Sequence, residues 1–509
     1  MPAFRPMSGR IPLALLSKAV VTALLVLPVT APPEMAAQDV EIPIDTAITT
    51  EHSVMIQGSS VPYTATAGFQ PVWDQNGEAI ASVFYTYYER SDIEDRSRRP
   101  LVVSFNGGPG SASVWMHIGY TGPRFLAIDD EGFPVQPYGF SDNPHSILDV
   151  ADIVYVDPVN TGFSRPLPGV DPSRFFGVYD DINYLAGWIE TFVTRQSRWD
   201  SPKFLKGESY GTNRVAGLAG RLQGSHWMYL NGVILVSPTG MGVSAGGPVS
   251  AGLYLPHYAA TAWYHDALEP SLQNRDLEEW LDEVETFTID EYIPALVRGG
   301  FLPGAERQRI AEQVARYSGT SVEFVLQNNL APGVGAWRKE LLRDRGQTVG
   351  RLDARYKGID RSDAGTSYDY DPALTAWNHS FTPAINMYLR DELGVQTDLR
   401  YYIFGPTSPW PRSPDNTGEN LRSAMAQNPF LNVMIQAGYY DGGTDYFSAK
   451  YTMWNMDPSG RLQDRFRFET YRSGHMMYLR QEDLESSNQH IREFIEASIP
   501  PAGEPAIYR

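Results

Sequence analysis

Lys203-Phe204-Leu205-Lys206-Gly207-Glu208-Ser209-Tyr210-Gly211-Thr212 contains the pattern Gly-x-Ser-x-Gly at Gly207 to Gly211. In a nucleophile elbow this pattern puts a serine on a sharp turn between a strand and a helix. Glycines on either side let the backbone fold tightly, and the serine oxygen then stands clear of the sheet. Five residues alone arise easily by chance, so the flanks decide. Lys203 to Lys206 reads as a short strand. Beyond the elbow, Val215, Leu218, Ala219 and Leu222 recur at helical spacing. A second copy of the pattern, Gly242-Val243-Ser244-Ala245-Gly246, lacks this context. It follows the strand Gly232 to Val236 only after a five-residue connection, Ser237 to Met241, and it runs into Gly246-Gly247-Pro248, which we expect not to open a helix. It reads as a loop.

Working outward, Leu101 to Phe105 and Ile153 to Val156 are continuous apolar runs, as expected of strands covered on both faces of a parallel sheet. Tyr179 to Thr194 reads as a helix with Ile182, Leu185, Ile189 and Val193 on one face. Strands alternating with helices predict a mostly parallel α/β sheet flanked by helices. Before it, Asp74-Gln75-Asn76-Gly77 predicts a hairpin between Thr64 to Trp73 and Ala79 to Tyr88. Gln38 to Ser60 reads as a polar lead-in. From about Gly240 to about Ala376 helical patterns dominate, as at Leu277 to Phe287, Ala305 to Tyr317 and Val322 to Leu330. This is expected to be an inserted helical cap, 240–376, dividing a core of 38–239 and 377–509. Late strands are expected at Asn432 to Gly438 and Phe466 to Tyr471, and a closing helix at Asn488 to Ala497.

The chain has 509 residues, 42% hydrophobic and 20% charged, which is ordinary globular composition. A formal net charge of -19 makes nucleic acid and anionic membranes poor partners. Cysteine is absent, so disulfides and thiolate chemistry are excluded. Arg5, Arg10 and Lys18 precede the apolar run Ala19 to Ala31. That is the layout of a secretory signal, expected over 1–37 and cleaved after Ala31 or Ala37, leaving a secreted or periplasmic chain without stable membrane insertion.

A serine nucleophile needs a base, and the base needs an orienting acid. In the hydrolase arrangement the chain order is Ser, Asp or Glu, then His. Asp441 and Asp445 follow the late strand, and Asp441 lies immediately after its end. Of nine histidines, His379, His475 and His490 lie beyond the cap. His475, in Arg472-Ser473-Gly474-His475-Met476-Met477, follows the strand at Phe466 to Tyr471 directly, where functional loops collect. His490 sits in a polar helix, where solvent is its expected surrounding. A tetrahedral intermediate needs backbone donors: the residue after the nucleophile, Tyr210, and a glycine-rich loop, Asn106-Gly107-Gly108-Pro109-Gly110.

These segments, with Asp157 to Ser164 and Ala437 to Asp441, resemble the serine carboxypeptidases in order and content. The resemblance implies an α/β-hydrolase fold with Ser209 as nucleophile, His475 as base and Asp441 as orienter. It implies Gly108 and Tyr210 amides as the oxyanion hole. It assigns the substrate's terminal carboxylate to Asn106, the Gly107 amide and Glu208. A protonated Glu208 can donate a hydrogen bond to that carboxylate. No metal or cofactor is implied, and the substrates are peptide or protein C-termini. Ser104 stands where the family usually has a tryptophan, and Ser111 where it often has a cysteine. The expected activity is exported serine carboxypeptidase. An esterase or acyltransferase on the same triad, or a non-catalytic binding protein on the same fold, are the alternatives.

Overall fold

The computed structural model describes residues 40–243, 245–411, 413–501 and 503–507. The expected signal segment, 1–37, and Ser244 of the second Gly-x-Ser-x-Gly copy lie outside the described residues.

A ten-stranded sheet runs through the molecule. Its order is Thr46–Ile56, Ser59–Trp73, Ala79–Arg90, Asp152–Val156, Leu101–Phe105, Lys203–Glu208, Gly232–Val236, Asn432–Gly438, Phe466–Tyr471, with Arg165–Pro166 paired to Ala79–Arg90 at the side. The first three strands are antiparallel, and Ala79–Arg90 joins Asp152–Val156 antiparallel. From there onward every neighbouring pair is parallel. The apolar runs behave as strands buried on both faces must. Leu101, Val103, Phe105 and Leu205 point into one cluster with Ile182, Leu185, Val215 and Leu222 of the helices Val178–Arg195 and Tyr210–Ser225. Val102, Phe204 and Ile234 point into the other, with Phe381, Ile491 and Phe494 of Pro372–Met387 and Gln481–Ala497. This period-2 alternation fixes the register, because a one-residue slip would exchange the two faces.

The predicted hairpin forms at Asp74 to Gly77. Asp74 Oδ1 accepts from Asn76 N at 2.8 Å and Glu78 N at 3.0 Å, and Gly77 takes φ +79. Three expectations need correction. The lead-in holds an edge strand, Thr46–Ile56, whose residues are mostly exposed and so carry no hydrophobic signal. Gly247-Pro248 does open a helix, Gly247–Leu253, because proline's missing N–H costs nothing in a first turn. The closing helix starts earlier, at Gln481.

Between Gly247 and Glu340 the chain is helical and builds its own cluster. Leu277, Trp280, Leu281 and Val284 meet Ile310, Val314 and Trp337 there, and Tyr439, Tyr440 and Phe447 join from beside the late strand. The expected boundary at 376 falls within the helix Pro372–Met387.

Candidate active site

The elbow strand Lys203–Glu208 is buried along its whole length and hands directly to the helix Tyr210–Ser225. Ser209 sits between them at φ +58, ψ -127. A non-glycine residue held at positive φ is strained, and such strain collects at functional turns. The Ser209 amide donates to Val236 O at 3.0 Å, which ties the turn to the next strand. The glycine loop packs on the elbow backbone to backbone. A Cβ on Gly107 would stand 2.5 Å from Tyr210 N and 2.6 Å from Glu208 O, and one on Gly211 would stand 2.8 Å from Phe105 O. Side chains there would force the two loops apart. The Tyr210 amide opens its helix, so no carbonyl of that helix can accept from it. Gly108 takes φ +105.

Asp441 follows the strand Asn432–Gly438, with its Oδ2 2.7 Å from His475 Nδ1. Its Oδ1 accepts from Gly443 N at 2.7 Å and Thr444 N at 3.1 Å, and the Thr444 hydroxyl donates to Oδ2 at 2.8 Å. Burial pushes the Asp441 carboxyl up, but His475 and these donors outweigh it and hold it below the usual carboxylate range. Burial pulls the His475 imidazole down; the Asp441 and Glu208 carboxylates outweigh that and raise it above the ordinary value. The backbone on both sides of the His475 ring is fixed: its N donates to Leu352 O at 2.6 Å, and its O accepts from the Ser237 hydroxyl at 2.7 Å. Asp445 is turned to other work. It caps the helix Tyr446–Met456, accepting from Ser448 N at 2.8 Å, and burial pushes its carboxyl up to about 7.

Glu208 is buried, and burial raises its carboxyl above the usual range. Its Oε2 accepts from the Tyr478 hydroxyl. The nearby cations are engaged elsewhere. Arg214 bonds Asp181 at 2.7 Å and Asn106 O at 2.6 Å. Lys206 Nζ donates to Thr121 Oγ1 at 3.2 Å and lies 3.6 Å from the Tyr120 ring centre, and burial holds it well below a normal lysine. Asn106 Oδ1 accepts from Met116 N at 3.1 Å, whereas its Nδ2 is buried without a well-formed hydrogen bond. Ser104, at the family's tryptophan position, is buried with its hydroxyl unpartnered.

A cavity of ≈ 200 Å³ joins these parts, walled by Gly107, Gly108, Glu208, Ser209, Thr444 and His475. Asn106, Tyr210 and Asp441 lie behind those walls rather than among them. The rest of the lining includes a second wall of Arg351, Leu352, Leu374, Trp377 and Phe404, with Leu352 O beside His475 N. Sequence reasoning missed that wall, and also Thr444 and Tyr478. Only Tyr478 carried a signal, being three residues past His475 in the same loop. His490, expected in solvent, is bonded through Nδ1 to the Tyr471 hydroxyl at 3.0 Å. An acid–imidazole pair and a serine on a strained elbow, sharing a cavity with backbone amides, can carry out acyl transfer.

The sheet and elbow define an α/β hydrolase. The crystal structure of Kex1(delta)p, a prohormone-processing carboxypeptidase from Saccharomyces cerevisiae, matches 86% of this chain and 92% of its own, at TM-score 0.51 and 14% identity. At that identity the likeness is one of fold. A family model described as serine carboxypeptidase matches residues 56–239, which hold the glycine loop and the elbow but not Asp441 or His475. Serine carboxypeptidase-like 31 of Arabidopsis thaliana is 30% identical over 162 residues, 30% of this chain and 29% of its own. Serine carboxypeptidase S10 family member 1 of Dictyostelium discoideum is 28% identical over 160 residues, 31% of this chain and 35% of its own. The chain thus spans only 29% and 35% of the length of these two curated relatives. Together the matches agree with the resemblance read from the motifs: over residues 56–239 the chain is similar to the serine carboxypeptidases.

Proposed function

We propose that this chain is an exported serine carboxypeptidase that removes single residues from peptide C-termini. Ser209 Oγ attacks the last peptide carbonyl while His475 takes its proton, and Asp441 holds the imidazole and offsets its charge. The Gly108 and Tyr210 amides donate to the oxyanion. His475 returns the proton to the leaving amine, and water then releases the acyl group by the same steps. Asn106, the Gly107 amide and Glu208 hold the terminal carboxylate. The segment 240–376 caps the site and, with the residues that follow, supplies the second wall. The basic and apolar N-terminal stretch supports export. Among the described residues no helix is long and apolar enough to cross a membrane.

One observation carries the carboxypeptidase reading: Glu208, a buried acid one residue before Ser209, walls the same cavity. A carboxyl kept protonated there donates to a carboxylate and mispairs with an amide. That difference is worth about 1–3 kcal/mol. The test compares kcat/KM for one peptide as free acid and as C-terminal amide, from about pH 4 to about pH 8, a range that brackets the ordinary carboxyl and imidazole values. The acid should be cut at least about 10-fold faster. Equal rates, or internal cleavage first, would sink the reading. Ser104 with its unpartnered hydroxyl, in place of the family's tryptophan, favours a second reading, an esterase or acyltransferase on the same triad. Under that reading esters are turned over and peptides are not.

A further inference from the structure

The second wall of the cavity is apolar at Leu352, Leu374, Trp377 and Phe404, and Arg351 is the exception. Its main chain is pinned: Arg351 N donates to Asp371 Oδ1 at 3.1 Å, and its O accepts from Gly442 N at 3.0 Å. This sets the head group over the turn that carries Asp441, where a Cβ on Gly443 would stand 3.5 Å from Nη1. From there its charge opposes protonation of His475.

Among the described residues the guanidinium has one ion pair, a loose one with Asp371. Asp371 Oδ2 is 3.8 Å from Nε, beyond hydrogen-bond length. Asp371 is already committed to backbone. Its Oδ1 also accepts from Ala373 N at 3.2 Å and its Oδ2 from Leu352 N at 3.2 Å, capping the helix Pro372–Met387. A surface arginine with only a loose ion pair is ordinarily just solvated. Here the side chain is 39% exposed and walls the cavity that holds Ser209 and His475. A guanidinium presents a planar fork of donors that matches a carboxylate in two bonds. The substrate's terminal carboxylate is already assigned to Asn106, the Gly107 amide and Glu208.

The geometry points to Arg351 as a specificity residue that selects an acidic side chain, Asp or Glu, on a residue flanking the scissile bond. This rests on the carboxypeptidase reading for the identity of that bond, but the contact itself does not depend on the reaction. The net charge of -19 repels acidic peptides at long range. Screening confines that repulsion to about 8 Å at physiological ionic strength, so it does not reach far into solution.

Binding to the Ser209→Ala protein separates the two ideas, because nothing is cleaved. Calorimetry at neutral pH would use free-acid peptides that differ only as Glu or Gln at the last or the penultimate residue. The Glu peptide should bind about 10-fold tighter at one of these positions. The preference should disappear in Ser209→Ala/Arg351→Gln and survive in part in Ser209→Ala/Arg351→Lys. It should fade as the substrate carboxyl protonates near about pH 4.3. Equal binding of Glu and Gln at both positions, no binding of either, or a preference that persists without Arg351 overturns the proposal. Wild-type enzyme that fails to shorten the Gln peptides, while the Glu preference in binding holds, counts against the carboxypeptidase reading and not against Arg351.

Discussion

The cavity has two walls of different origin. One is built at the carboxyl ends of the sheet strands, from Gly107, Gly108, Glu208, Ser209 and His475. The other comes from the end of the 240–376 segment and the residue after it, from Arg351, Leu352, Leu374 and Trp377. The first is held by backbone contact so close that glycine is required at 107 and 211, and by strands buried on both faces. The second is held by side-chain packing and by the Asp371 cap. A wall fixed by backbone can position reacting atoms, whereas a wall fixed by side chains can change its chemistry without disturbing the fold. The sheet wall is therefore expected to set rate, and the second wall to set choice.

The largest effects should fall on the sheet wall. Ser209→Ala and His475→Ala should each lower kcat by about 10³-fold or more on every substrate, and Asp441→Asn should be nearly as severe. A fluorophosphonate probe should label Ser209 and nothing in the Ser209→Ala protein. Label at Ser244 would break the comparison at its root.

Next comes Glu208→Gln. Glutamine donates at every pH, so the free-acid preference should stop rising as pH falls, a change of about 10-fold in the acid-to-amide ratio. The variant should also move the acid limb. His475 must be neutral to accept a proton, so activity falls as pH drops through its pKa. The Glu208 carboxylate is one of the groups that raise that pKa. Its removal should shift the limb for ester hydrolysis to lower pH, and an unmoved limb would uncouple the two residues.

Tyr478→Phe removes the hydroxyl that donates to Glu208 while leaving the ring stacked on Tyr120, 4.3 Å between centroids. That bond favours the charged carboxylate. Without it Glu208 should stay protonated to higher pH, and the free-acid preference should extend upward in pH, with KM affected about 3-fold to 10-fold and kcat less. An unchanged pH profile would make Tyr478 a packing residue only.

On the second wall, Leu374→Ala should alter the ranking of large over small apolar substrate residues by roughly 10-fold, the scale expected for reshaping an apolar pocket. A uniform loss on all substrates would mean that this wall also sets rate. The smallest effect is expected at Asp445→Asn. Asparagine caps a helix about as well as aspartate, so activity should hold within about 2-fold and melting should shift little.

How much of this was legible follows the same division. The elbow, the glycine loop, and the Asp441 and His475 turns each join a strand to a glycine-rich loop, so local pattern exposed them. Asn432–Gly438 forms as read because it is buried and mostly apolar, whereas Phe466–Tyr471 forms as read as a half-buried edge strand that alternates Phe466 and Phe468 with Arg467 and Glu469. The edge strand Thr46–Ile56 was not legible, since exposed residues carry no period. The helix at Gly247 was misread from its glycine and proline, which are tolerable in a first turn.

The sequence by itself determined the α/β order of strands and helices, the strained serine turn, and the residues competent for acid–base chemistry, because each rests on neighbours in the chain. Only the tertiary structure decided that Asp445 caps a helix while Asp441 meets His475 at 2.7 Å, that the Tyr478 hydroxyl donates to Glu208, and that Arg351 lines the same cavity as Ser209. Those pairings join residues far apart in the chain or choose between near neighbours. Their geometry depends on how the strands, caps and packed helices set the loops in space, which local pattern does not encode.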